Sequence, residues 1–204
     1  MFIGLYNKSI ILTYIGVALA VTGIYFSFVP NIRYAMLCLA ISGVCDLFDG
    51  MVARRCKRNE EEKLFGVEID SLADMMGFVA LPIAVCCGMG LTKWYNVAIY
   101  IVYALTAISR LGYFNIVAKS SATDSPVKHY TGLPVTFAAL IFTTAWFLSF
   151  ILSDGIFAAF YSFLMLIVAL LFVLKIKVPK PRGIAYVFLG LIAIVVCCAI
   201  IFAG

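Results

Sequence analysis

Charge is scarce in this chain. Only 12% of its 204 residues are Asp, Glu, Lys or Arg, about half the share usual in soluble domains, and this excludes an ordinary water-soluble globule. Histidine occurs once, and the seven cysteines form no Cys-x-x-Cys pair and no Cys/His spacing suited to zinc. Their neighbouring pairs, Cys86-Cys87 and Cys197-Cys198, lie inside apolar runs and read as small, reduced packing residues. The chain has no internal repeat of useful length and no low-complexity tail.

Apolar residues make up 65% of the sequence and the mean hydropathy is +1.11, the profile of an integral membrane protein. A single membrane domain over residues 1–204 is expected, all-α, as a polytopic helical bundle. Seven apolar segments stand out: Ser9 to Val29, Arg33 to Arg54, Phe65 to Met89, Trp94 to Ala118, Gly132 to Leu152, Ile156 to Ile176 and Ile184 to Ala203. The last divisions rest on turn residues at Asp154-Gly155 and Pro179-Lys180-Pro181. The run from Ile10 to Val29 is too long for a cleaved leader and reads as a retained first span. Placing the N-terminus inside leaves only Arg33 and Lys93, of fifteen Lys and Arg residues, on the outer side. The net charge of +5 is therefore a topology signal and excludes nucleic acid as the partner it would otherwise suggest. The loop Lys119 to Tyr130 is expected to be the one extended polar connection.

Against this background the stretch Asp46 to Asp74 is anomalous, because four aspartates lie within or beside membrane-grade sequence. An ionised carboxylate there is unfavourable by several kcal/mol and marks a functional site. Asp46 and Asp49 are three residues apart on the second segment, and Asp70 and Asp74 four apart on the third, so each pair shares a helix face. Bringing all four together demands bound cations or protons to offset like-charge repulsion. Oxygen-only ligands favour Mg²⁺ or Mn²⁺. Gly50, Ala53 and Gly66 remove bulk where a ligand or another helix approaches closely, and Arg54 at the rim has the fork geometry to hold phosphate oxygens. Glu60, Glu61 and Glu62 are assigned to a solvated loop.

The pattern Asp46-x-x-Asp49-Gly50-x-x-Ala53-Arg54, eleven residues, then Gly66-x-x-x-Asp70-x-x-x-Asp74 resembles the signature of the CDP-alcohol phosphotransferases at all eight defining positions. The resemblance implies a membrane enzyme with a six-span core, here with a seventh span, acting as a homodimer. It would move a substituted phosphate from a CDP-linked donor to an alcohol and release CMP. It further implies two divalent ions, one held by Asp46, Asp49 and Asp70 and the other by Asp46, Asp70 and Asp74, with Asp74 also the base for the attacking hydroxyl. Gly50, Ala53 and Gly66 would line the donor site, with Arg54 near its phosphates. Thr13 would face the nucleotide; the asparagine that relatives often carry shortly after this threonine is absent from Leu12-Thr13-Tyr14-Ile15-Gly16.

A second region, Arg110-Leu-Gly-Tyr-Phe-Asn115 followed by Gly132-Leu-Pro134, looks like the branch of that family that uses L-serine as acceptor and CDP-diacylglycerol as donor. Arg110 is either a grip for a carboxylate or phosphate or an interfacial arginine. Asn115 either binds the acceptor or caps a helix, and Lys128 and His129 are further phosphate-binding candidates. Both substrates must meet at the cytoplasmic face of the cytoplasmic membrane, serine arriving from water and the donor from the surrounding membrane lipids. The rival acceptors are glycerol phosphate and inositol phosphate, the rival donor an archaeal ether lipid. A divalent-cation transporter is the rival of another class, and the absence of acids from the later spans argues against it.

Overall fold

An apolar chain that must satisfy its backbone N–H and C=O groups without water does so most directly in helices. The computed structural model describes residues 4–29, 31–120, 129–179 and 184–203. A 3-10 turn (Lys8–Ile10) leads into α1 (Ile11–Phe28), followed by α2 (Ile32–Arg55) and α3 (Glu60–Met75). A π-helical turn (Met76–Ala80) then joins α3 to α4 (Leu81–Gly88). Beyond them come α5 (Trp94–Ser120), α6 (Phe137–Trp146) with a 3-10 extension (Phe147–Phe150), α7 (Asp154–Val173) and α8 (Ile184–Phe202). Among the described residues five helices are long and apolar enough to cross a membrane, α3 to α4 counting as one of 29 residues, and Phe137–Phe150 and Phe188–Phe202 form shorter apolar stretches. The protein is a multi-pass helical bundle, as its composition implies.

The helix boundaries depart from the apolar runs in three places. Glu60, Glu61 and Glu62 are not loop residues but the first turn of α3: Asn59 accepts from the Glu62 N–H at 2.7 Å while Glu62 accepts from the Asn59 N–H at 2.8 Å. This capping box and the positive end of the helix favour three acids at that point. The segment beginning at Gly132 does not become helical until Phe137. Gly132 has a φ of +81°, and a side chain on it would run into the backbone carbonyl of Phe172. Finally, β1 (His129–Thr131) pairs antiparallel with β2 (Lys177–Pro179), Thr131 opposite Lys177. This ribbon, extended by the Gly132 N–H donating to Ile176 O at 2.9 Å, ties the approach to α6 onto the end of α7.

Small residues let the helices close. A Cβ on Gly23 would lie 2.9 Å from Cβ of Cys38, and one on Gly43 would lie 2.8 Å from Cβ of Ala139, so α1 meets α2 and α2 meets α6 at near-backbone distance. Where α4 crosses the end of α1, Gly88 faces the carbonyl of Ser27. The other half of the core is aromatic. Tyr103 on α5 packs against Phe142 of α6 and Phe172 of α7 with ring centroids 5.9 and 5.4 Å apart. Its hydroxyl donates to Phe78 O at 2.6 Å, satisfying a carbonyl inside the π-turn, where the regular bonding ladder is interrupted.

The close approach at Gly88 can be tested by thermal unfolding in detergent. Gly88→Ala is expected to cost about 1–3 kcal/mol by forcing α4 off the Ser27 carbonyl. Gly112→Ala, on an exposed stretch of α5 with open space around it, is expected to be neutral or to stabilise by up to about 1 kcal/mol.

Candidate active site

The antiparallel hairpin of α2 and α3 fixes the depth of the acids. At 1.5 Å per helical residue, Asp46 lies about 14 Å inside the Arg55 end of α2 and Asp70 about 15 Å inside the Glu60 start of α3. The two pairs therefore meet side by side. One carboxylate oxygen from each of Asp46, Asp49 and Asp70 gathers within 4.8 Å of the others. Asp74, only 7% exposed, stands one turn deeper, its carboxyl against that of Asp46, while Asp49 and Asp70 touch likewise.

Two hydroxyls from outside the hairpin orient the acids. Thr13 of α1 donates to Asp49 Oδ2 at 3.0 Å, and Thr136, just ahead of α6, donates to Asp46 Oδ2 at 2.5 Å. Each donor occupies one oxygen and leaves the rest of the carboxylate to face its neighbours. All four acids border a cavity of about 190 Å³, lined also by Gly50, Arg54, Ser71, Arg110 and Phe114. Arg110 is 8% exposed, the one buried cation among the described residues. Its guanidinium lies 5.3 Å from the Phe114 ring centre, and its charge acts on Asp46, Asp70 and Asp74. That placement inside the cavity, facing three acids, is not that of an interfacial arginine reaching for water.

Other residues singled out from the sequence are distributed around this centre. Arg54 is exposed at the cavity rim, its Nη1 3.6 Å from where a Gly50 side chain would begin. Gly66 and Ala53 do not line the cavity; Gly66 lies under the half-buried Arg58, whose Nη1 is 3.3 Å from its Cβ position. Thr13 sits behind the acids in a smaller space shared with Gly16, Ser42 and Cys45, so its hydroxyl serves Asp49. Asn115 faces α3, where its Oδ1 accepts from Ser71 at 3.0 Å. Lys128 falls outside the described residues, and His129 is described only through its backbone in β1.

Thr136 and Ser71 are not among the residues that the sequence singles out, and Phe114 is so only as part of the Arg110-to-Asn115 motif. Ser71 carried a signal, being next to Asp70 on the same helix, and Phe114 another, one turn after Arg110. Thr136 carried none beyond its nearness to Gly132-Leu-Pro134, because its partner is 90 residues away.

Oxygen-only donors gathered so closely fit a hard divalent cation. The second expected set, with Asp74, is not part of the close three-acid group, although Asp74 adjoins it through Asp46. The cavity thus combines a cation-binding end with one buried arginine, an arrangement suited to holding a phosphate ester.

A family model described as CDP-alcohol phosphatidyltransferase matches residues 7–174. The chain is also similar to three proteins that share the name CDP-diacylglycerol--serine O-phosphatidyltransferase. That of Saccharomyces cerevisiae is 35% identical over 109 residues, covering 51% of this chain and 38% of that protein. For Mycobacterium tuberculosis the identity is 27% over 157 residues, 68% of this chain and 54% of the other. For Bacillus subtilis it is 28% over 112 residues, 54% and 58%. The chain therefore spans less than two thirds of the length of each.

The role of Thr136 generates a prediction. Thr136→Val, which keeps the shape and removes the donor, is expected to weaken Mn²⁺ binding about 10–100-fold, measured as free Mn²⁺ by electron paramagnetic resonance. Thr136→Ser should bind as the parent protein does. Equal binding by all three would show that the hydroxyl does not orient Asp46.

Proposed function

The chain belongs to the CDP-alcohol phosphatidyltransferase family, and we propose that it transfers the phosphatidyl group of CDP-diacylglycerol to the hydroxyl of L-serine, releasing CMP. The observation that carries this reading is the single cavity in which Asp46, Asp49, Asp70 and Asp74 face Arg110. The names of the similar proteins supply donor and acceptor.

In the proposed reaction the serine oxygen attacks the phosphorus of the phosphatidyl group. A new P–O bond forms, the P–O bond to CMP breaks, and the serine proton passes to Asp74. Two ions, Mg²⁺ or Mn²⁺, held by Asp46, Asp49 and Asp70 and by Asp46, Asp70 and Asp74, would supply charge neutralisation for the diphosphate and the departing CMP. Arg54 at the rim and Gly50 beside it suit the nucleotide phosphates; Gly66 and Ala53, outside the described cavity, remain donor-site candidates from the family signature. Thr13 and Thr136 hold Asp49 and Asp46 in place, so the carboxylates need little rearrangement when substrate arrives.

Arg110 favours serine over glycerol phosphate or inositol phosphate. It is one buried cation, which matches one carboxylate, with Arg54 at the rim assigned to the nucleotide phosphates. Asn115, oriented by Ser71, completes the acceptor side of the proposal, with Lys128 and His129 kept as phosphate-binding candidates from the sequence. The arrangement disfavours ion transport, since the acids form one cluster and Asp154, the one acid of the later described helices, is exposed at the start of α7. Arg54 lines the cavity, and Arg55, Lys57, Arg58 and Lys63 follow it in the sequence; by the positive-inside rule this basic group supports a cavity open to the cytoplasmic face of the cytoplasmic membrane. A homodimer is proposed from the family resemblance.

The test is CMP release and labelled-lipid formation from CDP-diacylglycerol and labelled serine by the purified protein with Mn²⁺. Asp74→Asn is expected to lower turnover by about 10²–10⁴-fold. Removing divalent ions with a chelator should abolish transfer, and Mn²⁺ or Mg²⁺ should restore it. Transfer to glycerol phosphate or inositol phosphate in place of serine would overturn the acceptor, and no CMP release with any acceptor would overturn the reaction.

A further inference from the structure

Arg110 carries its charge on the inward face of α5. Tyr103, Ala107, Arg110, Leu111 and Phe114 recur at three- and four-residue spacing, so they share one side of the helix. Tyr103 fixes the rotation of that side, through its hydroxyl on Phe78 O and its ring against Phe142 and Phe172. Arg110, Leu111 and Phe114 therefore come to the wall of the acid cavity.

The acids across the cavity attract Arg110, and a guanidinium able to swing would be drawn onto them with its fork turned away from any ligand. Phe114 supplies a competing attraction from Arg110's own helix, the ring centre 5.3 Å from the guanidinium carbon. That attraction comes from the negative face of the ring. It takes up no N–H group, because the five donors of a guanidinium point outward in its plane. A carboxylate in the same place would bind those donors itself. The effect is largest where water is excluded, and both Arg110 and its neighbour Leu111 are buried.

We propose that Phe114 is a positioning residue for the acceptor: its ring holds the Arg110 guanidinium at the cavity wall so that the fork meets the serine carboxylate. The inference rests on the serine reading above and deepens it. It separates the two substrates. The donor is held by the aspartates and Arg54, the acceptor by Arg110, so weakening the ring's attraction raises the KM for serine and leaves that for CDP-diacylglycerol unchanged.

Mono-, di- and trifluorinated phenylalanines in place of Phe114 test this, since fluorine drains the negative face of the ring while nearly keeping its shape. Along that series the KM for serine is expected to rise stepwise, reaching about tenfold, with kcat, the KM for CDP-diacylglycerol and thermal unfolding unaltered. Phe114→Leu should match the trifluorinated protein, and Phe114→Tyr, which keeps the ring, should behave as the parent. Tyr95→Leu removes the aromatic partner of Lys93 at the other end of α5 and should change neither KM. A serine KM that stays flat through the fluorinated series, or rises together with that of the donor, overturns the role of Phe114, while the serine transfer measured in the same assay leaves the proposed function standing. No transfer to serine by the parent protein overturns that function, and this inference with it.

Discussion

The structure depends on keeping four carboxylates together well inside a membrane bundle. Asp46, Asp49, Asp70 and Asp74 repel one another and are deprived of water, and removing the compensation for buried charge costs several kcal/mol. Each surrounding helix supplies part of that compensation. α1 brings Thr13 to Asp49, the approach to α6 brings Thr136 to Asp46, and α5 brings Arg110 to face the cluster. A divalent cation fits the remaining demand.

Holding these groups in register requires the helices to approach closely without leaving polar groups unpaired. Glycine and alanine meet the first demand where α1, α2 and α6 touch. Buried tyrosines meet the second: Tyr103, Tyr161 and Tyr100 each donate to a backbone carbonyl, of Phe78, Phe142 and Leu91. The π-turn at Met76–Ala80 begins two residues after Asp74. By widening the helix there it lets one 29-residue span turn an acidic face to the cavity at one end and an apolar face to the core at the other. Leu189 and Thr136 border both the polar cavity and the apolar cleft beside it.

Much of this was legible in the sequence because helical spacing is a local property. The three- and four-residue intervals of the aspartates put each pair on one face before any packing is known, and each of the seven apolar runs contains helix among the described residues. The limits of those runs misled where composition and backbone geometry part company. Glu60 to Glu62 look like loop residues, yet acids are favoured in a capped first turn. Gly132 to Thr136 look like membrane span, yet a positive φ at Gly132 and its bond to the end of the β1–β2 ribbon delay the helix to Phe137.

The sequence by itself determined the class of molecule, the order of its spans and the oxygen-only character of its acidic centre, since hydropathy, charge and helical period act between near neighbours. The tertiary structure alone decided that Thr136 reaches Asp46 across 90 residues, that Thr13 reaches Asp49 across 36, that Ser71 turns Asn115, and that α8 walls an apolar cleft. Those pairings follow from the rotation and separation of whole helices, which are set by the summed packing of glycines, alanines and aromatic rings along their length, and no local spacing encodes that sum.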